Sequence, residues 1–233
     1  MITQKEIKQL LQKEDPTVLE FGAHKGGDTG KFLHVFPGIK IYCFEPDPRC
    51  IEGFKKCIKD ERCVLIEAAV SNIDGKTLLN MSTGSRPSRA HNLIRALGLS
   101  KCYAAIKGSD WDMSSSIKNA VSYPIDYPWL SFGNTVEVKT IRPDTWVKQN
   151  DIHSVDFIWS DIQGAERDMI EGARNTLAIT KYLYMEYGET SSYPEAMTRA
   201  ATIALMGKHH FAIVPEYSDK EHIGNLLFAN RSL

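Results

Sequence analysis

Val18-Leu19-Glu20-Phe21-Gly22-Ala23-His24-Lys25-Gly26-Gly27-Asp28-Thr29 reads as a buried strand that runs through small residues into the start of a helix. Glycine lacks a Cβ and tolerates positive φ, so at such a turn the backbone can come close to a ligand. The spacing is Gly-x-x-x-Gly with Glu20 two residues earlier. It is not the Gly-x-Gly-x-x-Gly that seats a dinucleotide pyrophosphate on a helix N-terminus. Taken alone, the turn is also what an ordinary tight strand-to-helix connection looks like.

Two further stretches give it meaning. Cys43-Phe44-Glu45-Pro46 ends the next apolar run with an acid. In doubly wound folds an acid there accepts hydrogen bonds from the two ribose hydroxyls, which a carboxylate with two acceptor oxygens suits. As a bland residue, Glu45 would simply be solvated at a strand end. Farther on, Asp156-Phe157-Ile158-Trp159-Ser160-Asp161-Ile162-Gln163-Gly164-Ala165-Glu166 delivers Asp161 to the carboxyl edge of the sheet, outside which open α/β sheets bind ligands. Helix capping is the plain alternative for Asp161. Glu166 reads as a first-turn acid favoured by the helix dipole.

Around these stretches, apolar runs of strand type alternate with runs of helical period, the signature of a parallel α/β sheet. Thr3 and Glu6 form a capping box ahead of Ile7, Leu10 and Leu11. Asp47 caps a helix with Pro48 at its first position. Strands are expected at 17–21, 39–44, 63–70, 135–141, 155–160 and 182–187, with a short extra one at 76–81. Runs at 211–214 and 226–229 are placed to close the chain as an antiparallel pair. Residues 82–133 differ: they are rich in Ser, Gly, Arg and aromatics, with one short helix expected at 91–99. A connection that long in a compact domain is usually functional.

The chain has 233 residues, 42% of them hydrophobic and 24% charged, which is ordinary globular composition and excludes disorder and coiled coil. We read it as one domain, 1–233, with 82–133 as a substrate-binding insert. The net charge of −1 lacks the basic excess of a dedicated nucleic-acid binder. No apolar run reaches the ~18 residues that span a bilayer, and the charged N-terminus has no signal-peptide core. Five cysteines at spacings foreign to zinc motifs read as free thiols. A cytoplasmic protein is the expectation.

The ordered set of these pieces resembles the FkbM family of class I S-adenosylmethionine-dependent methyltransferases, over roughly Val18 to Glu189. Leu19 to Gly26 is similar to the family's glycine turn, and Phe44-Glu45-Pro46 to its F-E-P. Ala68-Ala69-Val70-Ser71 with Gly75 is similar to its third-strand segment. Ser114-Ser115-Ser116-Ile117 resembles a serine pair before an aliphatic residue, Val136 to Asp144 the strand that follows, Asp156 to Glu166 its D-F-x-K-x-D-x-E-G-A-E, and Met185-Glu186 its closing glutamate. The resemblance implies a Rossmann-like class I methyltransferase sheet. That sheet is mostly parallel, with an antiparallel C-terminal hairpin, helices on both faces and an insert before strand four. It also implies S-adenosylmethionine as methyl donor. As cofactor-binding residues it implies Glu20, Gly22, Ala23, His24, Gly26, Glu45, Pro46, Ala69, Ser116, Asp161 and Gln163. The chain departs from the pattern at His24, where Asn is common, at Trp159-Ser160, which replaces a Lys-containing pair, and at Gln163, where Glu is frequent.

Methyl transfer from a sulfonium needs an aligned acceptor and a route for its proton. Asp161 is the first candidate for that role and Glu186 the second. Together they could bind Mg²⁺ through their oxygens, or act without metal as a base and a substrate acceptor. His91, in the insert, is a third candidate base because imidazole titrates near neutrality, although a surface-loop histidine is usually bland. Arg86, Arg89, Arg95, Lys101, Lys107 and Lys118 outnumber Asp110 and Asp112 in the insert, which suits a phosphorylated or nucleotide-linked acceptor or a solvated loop. Trp111, Tyr123, Tyr127 and Trp129 could stack on a sugar or pack the insert. The expected activity is O-methylation of a sugar or of a glycosylated or nucleotide-linked small molecule. The alternatives are methylation of a ribose at an RNA end and a non-catalytic S-adenosylmethionine-binding partner protein.

Overall fold

The computed structural model describes residues 1–86, 109–119, 129–188, 193, 196–221 and 223–233. In chain order its elements are α1 (Gln4–Leu11), β1 (Thr17–Phe21), α2 (Gly27–Val35), β2 (Lys40–Phe44), α3 (Pro48–Cys57), β3 (Cys63–Ile66), β4 (Ala69–Val70), β5 (Gly75–Arg86), β6 (Ser109–Asp110), β7 (Leu130–Ile141), α4 (Pro143–Gln149), β8 (Val155–Ser160), α5 (Glu166–Gly172), α6 (Arg174–Ala178), β9 (Thr180–Gly188), α7 (Arg199–Gly207), β10 (Phe211–Ile213) and β11 (Ile223–Asn230).

Seven strands form the main sheet in the order β3-β2-β1-β8-β9-β11-β10. All run parallel except β11, which is antiparallel to both neighbours. Every residue of β8 is buried, as a central strand covered on both faces must be. Its side chains feed two separate cores. Phe157 and Trp159 pack with Phe32 of α2, Phe54 of α3 and Ile7 of α1. Ile158 packs with Trp146 of α4, Met169 and Ile170 of α5, Leu177 of α6 and Met206 of α7. This α/β sheet with helices on both faces and an antiparallel final hairpin is the expected class I architecture. No helix among the described residues is long and apolar enough to cross a membrane.

The helix starts follow the sequence signals. Thr3 Oγ1 accepts from the Glu6 amide while the Glu6 carboxylate accepts from the Thr3 amide. Asp47 accepts from the Arg49 amide with Pro48 at the first helical position.

The connection between β3 and β8 departs from expectation. Residues 63–70 do not form one strand. The chain breaks after Ile66, where the Ala68 amide turns back onto the Ile66 carbonyl at 2.9 Å. Ala69 and Val70 then join a second sheet, β4-β7-β5-β6. The short strand expected at 76–81 is the twelve-residue β5, antiparallel to the twelve-residue β7. Residues 82–86 and 130–133 therefore belong to a ribbon rather than to irregular insert. The ribbon was hidden by its Ser/Gly content and by a register shift between Met81 and Thr83. Gly84, at φ +143°, lies where a Cβ would come within 2.1 Å of the Trp129 carbonyl oxygen. The helix expected at 91–99 lies outside the described residues.

At the base of the sheet, buried Asp156 accepts from Lys13 and Lys181 (2.8 Å each) and from the Thr17 amide (2.9 Å). Burial pushes its carboxyl up, and these three donors more than reverse that, so it titrates below its ordinary value of 3.8. The stabilisation is then complete above that value and lost as pH falls through the lowered one. Thermal melts of the wild type and Asp156→Asn are expected to differ at pH 7 and to converge well below pH 3.8.

Candidate active site

One row of strand register builds the site. Phe21 pairs with Phe44 and with Ser160, and Ser160 pairs with Met185. The residues that follow these four are Gly22, Glu45, Asp161 and Glu186. Parallel strands β2, β1, β8 and β9 thus bring three carboxylates and the key glycine to a single edge. In sequence these four are separate candidates, and the register unites them.

Gly22 cannot be another residue. Its φ is +84°, and a Cβ there would lie 1.9 Å from the backbone oxygen of Asp161. The crossing is tied from both sides: the Gly22 and Ala23 amides donate to the Phe44 carbonyl (2.9 and 3.0 Å), and the Asp161 amide donates to the Phe21 carbonyl (2.9 Å). His24 follows at φ +50°, a left-handed conformation in which His and Asn are both enriched. That explains how His stands where the resemblance favours Asn.

Glu45 is buried and accepts from the His24 amide through one oxygen (2.7 Å) and from the Asp47 amide through the other (2.8 Å). Burial pushes its carboxyl up to about 7, against the pull of those two N–H groups. Each oxygen keeps a second lone pair for a ligand.

Asp161 sits solvent-reachable on the floor of a cleft whose walls surround it. Gln163, in the left-handed region at φ +52°, donates from Nε2 to Asp161 Oδ1 at 2.6 Å and to Glu186 Oε2 at 3.3 Å. Glu186 is pushed up to about 9 by burial and by the neighbouring charges of Asp161 and Glu166. Burial also raises Asp161. Two adjacent carboxyls cannot both ionise cheaply, and Glu186, pushed up to about 9, holds its proton at neutral pH. Glu166, at the start of α5, accepts from the Gly164 amide at 3.3 Å, in keeping with a first-turn acid.

The cleft encloses about 670 Å³ including its open mouth. Eight expected cofactor residues line it: Gly22, His24, Glu45, Pro46, Ala69, Ser116, Asp161 and Gln163. Phe44, Ala68, Val70, Leu79, Ile117 and Ile162 add an apolar wall. Three expected residues lie elsewhere. Glu20 is buried beneath the turn, where it accepts from Thr29 Oγ1 (2.6 Å) and Cys43 Sγ (3.2 Å) and so pins α2 to β1. Ala23 is packed in the apolar core with Phe32 and Phe54. Gly26, at φ +83°, opens α2, and a Cβ there would strike the Ile58 side chain at 2.5 Å. These three shape the turn from behind. His91 lies outside the described residues.

Residues 111–118 return as a strap along the cleft. Ser115 Oγ donates to Asp47 Oδ2 (2.9 Å), Ser116 Oγ to the Gln163 carbonyl (2.7 Å), and Tyr193 OH to the Ser114 carbonyl (2.7 Å). Asp112 reaches the glycine turn, with Oδ1 at 2.8 Å from His24 Nε2 and Oδ2 on Lys25 Nζ. In sequence Asp112 is only a countercharge, because nothing local distinguishes it.

The family profile described as the Methyltransferase FkbM domain matches residues 20–217. The chain belongs to the FkbM methyltransferase family. It is 30% identical over 230 residues to 2-O-methyltransferase NoeI of Sinorhizobium fredii (strain NBRC 101917 / NGR234), covering 98% of this chain and 85% of that one. Among solved structures, the N-terminal domain of EvdMO1, determined in the presence of SAH and D-fucose, superposes with a TM-score of 0.50. That match has 9% identity and covers 98% of this chain and 80% of that one, so it shows the fold alone. This FkbM-family protein is an S-adenosylmethionine-dependent O-methyltransferase. Its cleft fits the cofactor: a turn in which no Cβ is tolerated, a buried acid with free lone pairs, and an apolar wall adjoin one another.

Proposed function

We propose that the acceptor is a hydroxyl of a sugar or of a glycosylated or nucleotide-linked small molecule, and that the Asp161–Glu186 pair receives its proton. Asp161 on the cleft floor, joined through Gln163 to Glu186 at the end of β9, carries this reading. The similarity to a 2-O-methyltransferase supports a hydroxyl as the acceptor.

When bound, S-adenosylmethionine supplies a methyl group on a sulfonium. Glu45 would accept from its ribose hydroxyls, and the apolar wall would take its adenine. Asp161 on the cleft floor, in its carboxylate form, accepts a hydrogen bond from the acceptor hydroxyl and then its proton as the oxygen is methylated. Gln163 keeps the Asp161 and Glu186 carboxyls together, and protonated Glu186 limits the repulsion that ionised Asp161 would otherwise meet.

The pair fits Mg²⁺ poorly. Hard cations need carboxylate lone pairs, and the Gln163 amide already donates to both groups while Glu186 holds a proton. EDTA is therefore expected to leave turnover unchanged, and loss of activity restored by Mg²⁺ would reverse this assignment.

Glu45→Ala is expected to weaken SAH binding by about 10- to 150-fold, the worth of a charged acceptor. Because Glu45 titrates near 7, wild-type SAH affinity should fall as pH drops below that value. Glu45→Gln should be flat there if His24, Asp47 and Asp112, which face the group, contribute little. Calorimetry across pH 5.5–8.5 checks both. For the acceptor, methyl transfer should be measured on free sugars, glycosides, nucleotide sugars and a short capped RNA at equal concentration. Turnover confined to the RNA would replace the sugar reading.

A further inference from the structure

The strap is tied to the sheet edge at both ends, but its ties differ in kind. The Ser115 and Ser116 ties go to Asp47, the cap of α3, and to a backbone carbonyl. The Asp112 tie goes to His24 and Lys25, the two residues that follow the Gly22-Ala23 crossing. His24 is engaged twice: its amide holds the ribose acid Glu45 at 2.7 Å, and its ring meets Asp112 at 2.8 Å. Asp112, Met113, Ser115 and Ser116 line the cleft across from His24, Glu45 and Pro46. A nucleoside bound against Glu45 would therefore lie between the sheet edge and the strap, and its exchange would be hindered while the two stay tied.

We propose that Asp112, clamped by Lys25 and His24, is a positioning residue that latches the strap over the cofactor and sets the rate at which the spent cofactor leaves. The proposal rests on the family's cofactor and not on the nature of the acceptor. Its carboxylate is largely sunk (14% side-chain exposure) while Lys25 is 44% exposed, so the latch is strong enough to hold and open enough to release. Burial raises the Asp112 carboxyl, yet Lys25 and His24 more than reverse that and keep it charged.

A metal clip is the other use of this corner, because Cys50 Sγ lies within 4.8 Å of the His24 and Asp112 donor atoms. The chemistry disfavours it. The Lys25 ammonium already neutralises Asp112, and burial together with Glu45, Asp47 and Asp112 holds the Cys50 thiol far above its usual range, whereas a metal needs the thiolate.

The test is SAH release from the full chain, followed by stopped-flow tryptophan fluorescence after mixing with excess S-adenosylmethionine. Trp111 and Trp129, with ring centroids 5.3 Å apart, report on the strap. Asp112→Asn should speed release roughly tenfold, the scale of one charged hydrogen bond partly open to water. Lys25→Met should act in the same direction, and the double variant should be no faster than Asp112→Asn, because both remove one interaction. Lys25→Arg should retain slow release. Melting temperatures without ligand should fall together in Asp112→Asn and Lys25→Met, since the tie is present without ligand, whereas the slow release kept by Lys25→Arg marks the latch. Unchanged release in Asp112→Asn, additive effects in the double variant, or slower release from Asp112→Asn would each overturn the latch. The last would mean that Asp112 competes with the ligand's own carboxylate for Lys25.

Discussion

Asp161→Asn is expected to lower turnover by roughly 10²–10⁴-fold, the usual worth of a general base. The substitution keeps the shape of the side chain and removes its charge. It also converts the Gln163 contact at 2.6 Å from a charge-assisted hydrogen bond into a neutral one that depends on how the amide is oriented. SAH affinity should change little, because the proposed cofactor residues Glu45 and Gly22 follow β2 and β1. Glu186→Gln should cost less, since it removes the partner's proton rather than the acceptor of the substrate's proton. If Asp161→Asn turns over normally on the true acceptor, Asp161 is a structural residue of the β8 turn and the base lies in the insert, with His91 first.

Gly22→Ala is expected to damage both stability and activity. An alanine at φ +84° is strained, and its methyl carbon would stand 1.9 Å from the Asp161 carbonyl oxygen. That oxygen belongs to the backbone, so β1 and β8 must separate at the edge where the cofactor binds. Strain and displacement together should cost about 3–5 kcal/mol, and methyl transfer should fall at least 100-fold because Asp161 moves with its backbone. Gly27 is the control, with no positive φ and nothing within 4 Å of the point where an alanine methyl would stand. Gly27→Ala should unfold in urea within about 1 kcal/mol of the wild type.

The main sheet is legible in the sequence because burial on both faces writes itself as apolar runs, and the helices because capping chemistry is local. Thr3, Asp47 and Pro48 act as their positions suggest. The cleft is legible where a residue ends a strand: strand length alone places Glu45 and Asp161. Glu20 misleads because a strand-end acid and an acid one residue pair below the edge look alike in sequence. Only the register shows that its side chain points under the turn to Thr29 and Cys43. Gly26 misleads for a similar reason, since its positive φ serves the helix start and the packing of Ile58. The ribbon of β5 and β7 escapes notice where Ser and Gly carry the ladder through backbone bonds that no hydrophobic pattern announces. Asp112 cannot be found at all from sequence, because its meaning comes from a long-range contact with residues in the first strand turn.

In the proposed reaction this cleft passes a methyl group to oxygen and Asp161 takes the proton. A single-turnover experiment with ¹³C-methyl S-adenosylmethionine tests it most directly, run on the acceptor selected by the panel and read by NMR. The wild type should form one O-methyl ether per enzyme, and Asp161→Asn, saturated with cofactor, should form almost none in the same time. A methyl group on nitrogen or carbon, or an undiminished burst from Asp161→Asn, would contradict it.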